Sequence, residues 1–105
     1  MELELLSGQS NIEEVLKNGS VVLDFFGTHC GACSLIVPFL EQLQEEYNNK
    51  IKIVKINTDF DLEYAKSLDV KSLPSLLFFK DGKLVSHITG YRPKENIKRE
   101  IEKIV

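Results

Sequence analysis

Apolar and polar residues alternate along this chain with two different periods, and the switch between them marks out the elements. Residues 21–26 form a nearly continuous apolar run, as expected of a strand covered on both faces, broken only by Asp24. Residues 51–57 read as a second buried strand, and residues 1–6 as a short edge strand. Between the two runs, Ile36, Phe39, Leu40, Leu43 and Tyr47 recur at helical spacing and predict a long helix that Asn48-Asn49 ends. Pro38 lies inside it, cannot donate to the carbonyl of Ser34, and predicts a kink. Upstream, Ser10 with Glu13 three residues on has the form of a capping box, Ile12, Val15 and Leu16 follow on one face, and Gly19 suits the helix end. A short helix is expected over 61–68. Residues 75–80 and 83–89 flank Asp81-Gly82, a strong two-residue hairpin signal. Pro93 suits the first turn of a last helix with Ile97, Ile101 and Ile104 inward.

Strands alternating with helices imply parallel pairing with helices on both faces, and the closing hairpin adds an antiparallel edge. The pattern therefore predicts an α/β sandwich around a mixed sheet. At 105 residues the chain fits one domain, large enough to fold without covalent staples, so its two cysteines are free for chemistry. A net charge of −3 with scattered Lys and Arg argues against a nucleic-acid footprint or a polybasic membrane patch. The acidic start Met1-Glu2-Leu3-Glu4 lacks the form of a signal peptide, and the apolar runs are too short to span a bilayer, so the expectation is a cytoplasmic protein. In a reducing compartment, a close cysteine pair reads first as catalytic or metal-binding.

That pair is Cys30-Gly31-Ala32-Cys33, at the junction between the first buried run and the long helix. Residues three apart at a helix start share a face, and a small local adjustment brings the two sulfurs within bonding range. Unpaired N–H groups and the helix dipole favour a thiolate at Cys30, the better nucleophile; Cys33, a turn further in, is placed to attack the mixed disulfide that Cys30 forms. Ala32, unlike a proline, keeps an N–H that could point at the Cys30 sulfur and lower its pKa. A zinc site would need two more ligands, and His29 and His87 are the candidates; two inert buried thiols are the remaining alternative.

The stretch from Val22 to Cys33, with Pro38 beyond it, resembles the active-site segment of the thioredoxin family. Lys55-Ile56-Asn57-Thr58-Asp59 is similar to that family's third strand and exit, Ser72-Leu73-Pro74-Ser75 to the loop holding its cis-proline, and Lys80-Asp81-Gly82-Lys83 with Gly90 to its closing hairpin. The resemblance covers essentially the whole chain. It implies a thioredoxin fold over residues 1–105, with about five strands and about four helices, and reduction of protein disulfides by dithiol exchange through Cys30 and Cys33. It implies Asp24 as a buried proton acceptor for Cys33, and Lys55 as the neighbour that modulates it. His29, Gly31, Ala32, Leu73, Pro74 and Gly90 become the expected substrate-facing set. It further implies recycling by thioredoxin reductase, disulfide-containing proteins as substrates, a monomer, and no cofactor beyond the Cys30–Cys33 disulfide. A disulfide-forming oxidant or isomerase, and a non-catalytic binding module on the same scaffold, are the competing functions. His29 and Ala32 stand where the family usually has tryptophan and proline, Phe26 where a second tryptophan is common, and Ser34 where lysine is frequent. These departures bear on redox potential and reductase recognition.

Overall fold

A computed structural model describes residues 2–105, so Met1 and its part in the expected first strand lie outside the described residues. In chain order the elements are β1 (Glu4–Leu5), α1 (Gln9–Leu16), β2 (Ser20–Phe26), α2 (Gly31–Tyr47), β3 (Ile51–Asn57), α3 (Leu62–Ser67), β4 (Ser75–Lys80), β5 (Lys83–Thr89) and α4 (Lys94–Ile101). The strands make one sheet in the order β1-β3-β2-β4-β5. β1, β3 and β2 run parallel, whereas β4 pairs antiparallel with both β2 and β5. The predicted mixed sheet is therefore the observed one.

β2 is central because it is apolar in both directions. Val21, Leu23 and Phe25 point into a core closed by Ile12 and Leu16 of α1 and Tyr64 and Ala65 of α3. Val22 points the other way, into a core with Ile36, Leu40 and Leu43 of α2 and Ile97 and Ile101 of α4. Strand alternation places Asp24 on this second face, at 0% exposure. Asp81 and Gly82 both adopt positive φ (48° and 85°), the backbone that a tight two-residue hairpin turn requires. The same turn is tied to the start of β2: Gly19 N–H donates to the Asp81 carboxylate at 2.7 Å and Asp81 N–H to the Gly19 carbonyl at 2.9 Å.

Three local expectations are corrected. α1 is not capped by Ser10, which lies inside the helix; the cap is Gly8, at φ 92°. Its N–H donates to Asp61 Oδ1 at 2.9 Å, so the acceptor comes from a loop far along the chain. A serine is strained at such a φ, and the entry turn therefore goes to glycine. Secondly, α1 ends before Gly19, with Lys17 at its C-cap, and Gly19 serves the turn that follows. Thirdly, α4 stops at Ile101, but a turn still carries Ile104 into the core at 1% exposure.

Candidate active site

The two cysteines sit where β2 hands the chain to α2. Cys30 is the N-cap of α2 and is extended (φ −131°, ψ 99°), while Cys33 lies in the first turn. That extended cap is the local adjustment needed: Cα atoms stand 5.3 Å apart and the sulfurs are joined as a disulfide. Cys30 is half-buried and Cys33 only 4% exposed, so Cys30 keeps access to solvent and Cys33 is enclosed. The N–H that reaches Cys30 Sγ belongs to Cys33, at 3.2 Å, and not to Ala32 as expected. A cap side chain accepts from the second or third helical residue, and here the third is aligned. A proline at position 32 would leave that bond intact.

The loop before Cys30 is fastened to the exit of β3. Thr28 donates its hydroxyl to Asp59 Oδ2 at 2.7 Å, Asn57 donates its side-chain amide to Thr28 Oγ1 at 3.3 Å, and Asp59 N–H closes on Asn57 Oδ1 at 2.9 Å. The Thr28 hydrogen bonds, chiefly that of its hydroxyl, hold the Asp59 carboxyl below its ordinary range, with a smaller contribution from His29. Thr58 N–H and hydroxyl both reach the Phe26 carbonyl. Sequence reading missed the role of Thr28 and Asp59. Their signal was weak, since short polar residues at strand exits are common turn formers.

On the other side, Phe25 pairs with Ser75, which puts the residues just before β4 beside the loop leaving β2. The Leu73-Pro74 peptide is cis, Pro74 is buried, and Gly90 N–H donates to the Pro74 carbonyl at 2.7 Å. A Cβ on Gly27 would meet Leu73 Cδ1 at 3.0 Å and Cys30 Cβ at 3.9 Å, so the Leu73 loop lies directly against the cysteine loop. His29 and Gly31 are exposed beside Cys30, and Ala32 and Leu73 are half-buried. The expected substrate-facing residues thus gather at one end of the sheet. His87 is exposed on β5, and among the described residues no group of three or more His, Cys, Asp or Glu side chains lies together.

Beneath the cysteines, the parallel register makes Asp24 and Lys55 direct neighbours. Burial pushes the Asp24 carboxyl up to about 7, against an opposing pull from Lys55. Cys33 and Lys55 line a common cavity of about 130 Å³ with Phe26, Gly27, Thr28, Ser34 and Val37.

Residues 3–103 match the sequence profile of the family described as Thioredoxin. The chain belongs to the thioredoxin family. It is 43% identical to a thioredoxin of Listeria monocytogenes over 91% of this chain and 93% of that one. A thioredoxin of Staphylococcus saprophyticus is 39% identical over 90% of each. Among solved structures, a mutant thioredoxin from Halobacterium salinarum superposes with a TM-score of 0.89 at 28% identity, over 98% of this chain and 90% of that one. Oxidised mitochondrial thioredoxin 3 from Saccharomyces cerevisiae gives 0.89 at 27% identity, over 96% and 94%. With its cysteine pair joined at the head of α2, this member of the thioredoxin family is a thiol-disulfide oxidoreductase.

Proposed function

We propose that the protein reduces disulfides in partner proteins, with Cys30 as nucleophile and Cys33 as resolving thiol. The observation that carries this reading is the asymmetry of the pair: Cys30 is half-buried at a helix N-cap and Cys33 is 4% exposed behind it. The Cys30 thiolate, favoured by the first-turn N–H groups, attacks one sulfur of the substrate disulfide, and the other sulfur leaves as a thiolate. Cys33 then loses its proton and attacks Cys30 Sγ. This releases the second substrate thiolate and leaves the Cys30–Cys33 disulfide, so two electrons have passed to the substrate. Asp24, with its carboxyl at about 7, takes the Cys33 proton near neutral pH. Cys33 and Lys55 line a cavity with room for a water beside them, while Asp24 lies buried outside its lining.

The substrate docks across His29, Gly31, Ala32, Leu73, Pro74 and Gly90, pairing its extended backbone against the Leu73-Pro74 loop. The dithiol itself holds the electrons, so no bound cofactor is required. Recycling falls to a thioredoxin reductase, and the protein works as a cytoplasmic monomer of one domain. Family similarity supports the assignment of the reductase and of disulfide substrates. Equilibration in glutathione buffers at fixed pH tests the direction of transfer. A reductase keeps its disulfide until the buffer is strongly reducing; loss of the disulfide in mildly oxidising buffer would mark an oxidant instead.

A further inference from the structure

Asp24 and Lys55 are paired in register on adjacent strands, yet they do not bond. Neither carboxyl oxygen of Asp24 has a hydrogen-bond partner. The Lys55 ammonium lies instead over the Phe26 ring, 4.5 Å from its centroid. Phe26 follows Asp24 by two residues on β2 and so projects from the same face of the sheet. The two groups therefore compete for one cation. Pairing with Asp24 would draw the ammonium to a place with no exposure, at a large desolvation cost. The ring is only partly buried and lines the cavity with Lys55, so it attracts the cation while leaving it hydrated on one side.

We propose that Phe26 is a positioning residue that holds the Lys55 ammonium off Asp24, keeping the carboxyl unpaired and able to take a proton. The proposal rests on the reading of Asp24 as proton acceptor for Cys33. A salt-bridged carboxylate would be a poor base, because an opposite charge in contact favours the ionised form. The surroundings leave few other influences on Asp24. β4 sets Leu76 beside it, α4 turns Ile97 and Ile101 to this core, and α2 contributes Ile36 and Cys33. Lys55 is the charged group that acts on it.

The test follows the Asp24 carboxyl carbon by NMR across pH in the oxidised protein, where Cys33 does not titrate. Phe26→Leu should lower the Asp24 midpoint by about one pH unit or more, as Lys55 closes on the carboxylate. Lys55→Met should raise it, and in the double variant Phe26→Leu should no longer lower it. Fluorinating the Phe26 ring keeps its shape while removing its attraction for cations, and should also lower the midpoint; this variant decides the matter if Phe26→Leu does not fold. A midpoint that stays or rises in the ring variants, or falls equally with Lys55 absent, overturns the proposal. The titration is independent of turnover, so failure to reduce disulfides would sink the functional reading without touching this result.

Discussion

Cys30 and Cys33 differ by one helical turn, and their chemistry should differ accordingly. Limiting alkylation of the reduced protein near neutral pH is expected to label Cys30 first. Cys33→Ser should accumulate a mixed disulfide with substrate, whereas Cys30→Ser should form none; preferential labelling of Cys33 would reverse the assignment. Asp24 carries a pH signature of its own. Its folded-state pKa is raised from 3.8 to about 7, so the folded form holds the proton more tightly than the unfolded chain. The stability this confers is complete below about pH 4 and is lost as pH rises through about 7. Three units correspond to roughly 4 kcal/mol, so Asp24→Asn should flatten denaturant stability across that window and be the more stable protein at pH 8. It should also slow release of substrate from the mixed disulfide at neutral pH. A variant whose stability profile keeps the wild-type slope would show that the buried carboxyl is not the titrating group.

At the scale of elements, the hairpin was legible because its signal is local: two apolar runs around Asp81-Gly82 leave little choice of turn. β2 was legible for the same reason, since covering both faces leaves an apolar run that only Asp24 breaks. The start of α1 was not. Ser10 and Glu13 fit a capping box, but Gly8 takes the cap because Asp61, distant in sequence, reaches its N–H. Tertiary partners are invisible in a local pattern. The same limit hid the ring over which Lys55 sits, set by strand register. The N–H that meets Cys30 is local, and helix phase selects Cys33 over Ala32. Pro74 and Gly90 were found through resemblance, and their hydrogen bond joins the β4 entry to the β5 exit. Gly90 has φ 79°, and an added Cβ would make only ordinary contact with Arg92. The cost of Gly90→Ala is therefore conformational, about 1–2 kcal/mol. Denaturant melts should show that loss, and an unchanged midpoint would contradict the left-handed backbone at this position.

Across the whole molecule, the sheet order brings four chain segments to one end: the β2 exit with the cysteines, the β3 exit with Asp59, the cis-proline loop before β4, and Gly90 after β5. Parallel β2 and β3 must finish together, and antiparallel β4 must begin where they finish. The site is thus a consequence of topology, with the cysteine pair on a helix start and the buried Asp24 carboxyl in the strand beneath. A dithiol that reduces protein disulfides transfers its two electrons stoichiometrically. Fully reduced protein is mixed with an excess of a protein bearing an exposed disulfide, without other reductant, and products are counted by mass spectrometry. One substrate disulfide should be reduced per chain, with Cys30–Cys33 oxidised in step and no reduction by Cys30→Ser. A substrate left oxidised by the wild-type protein, or reduced as well by Cys30→Ser, would contradict it.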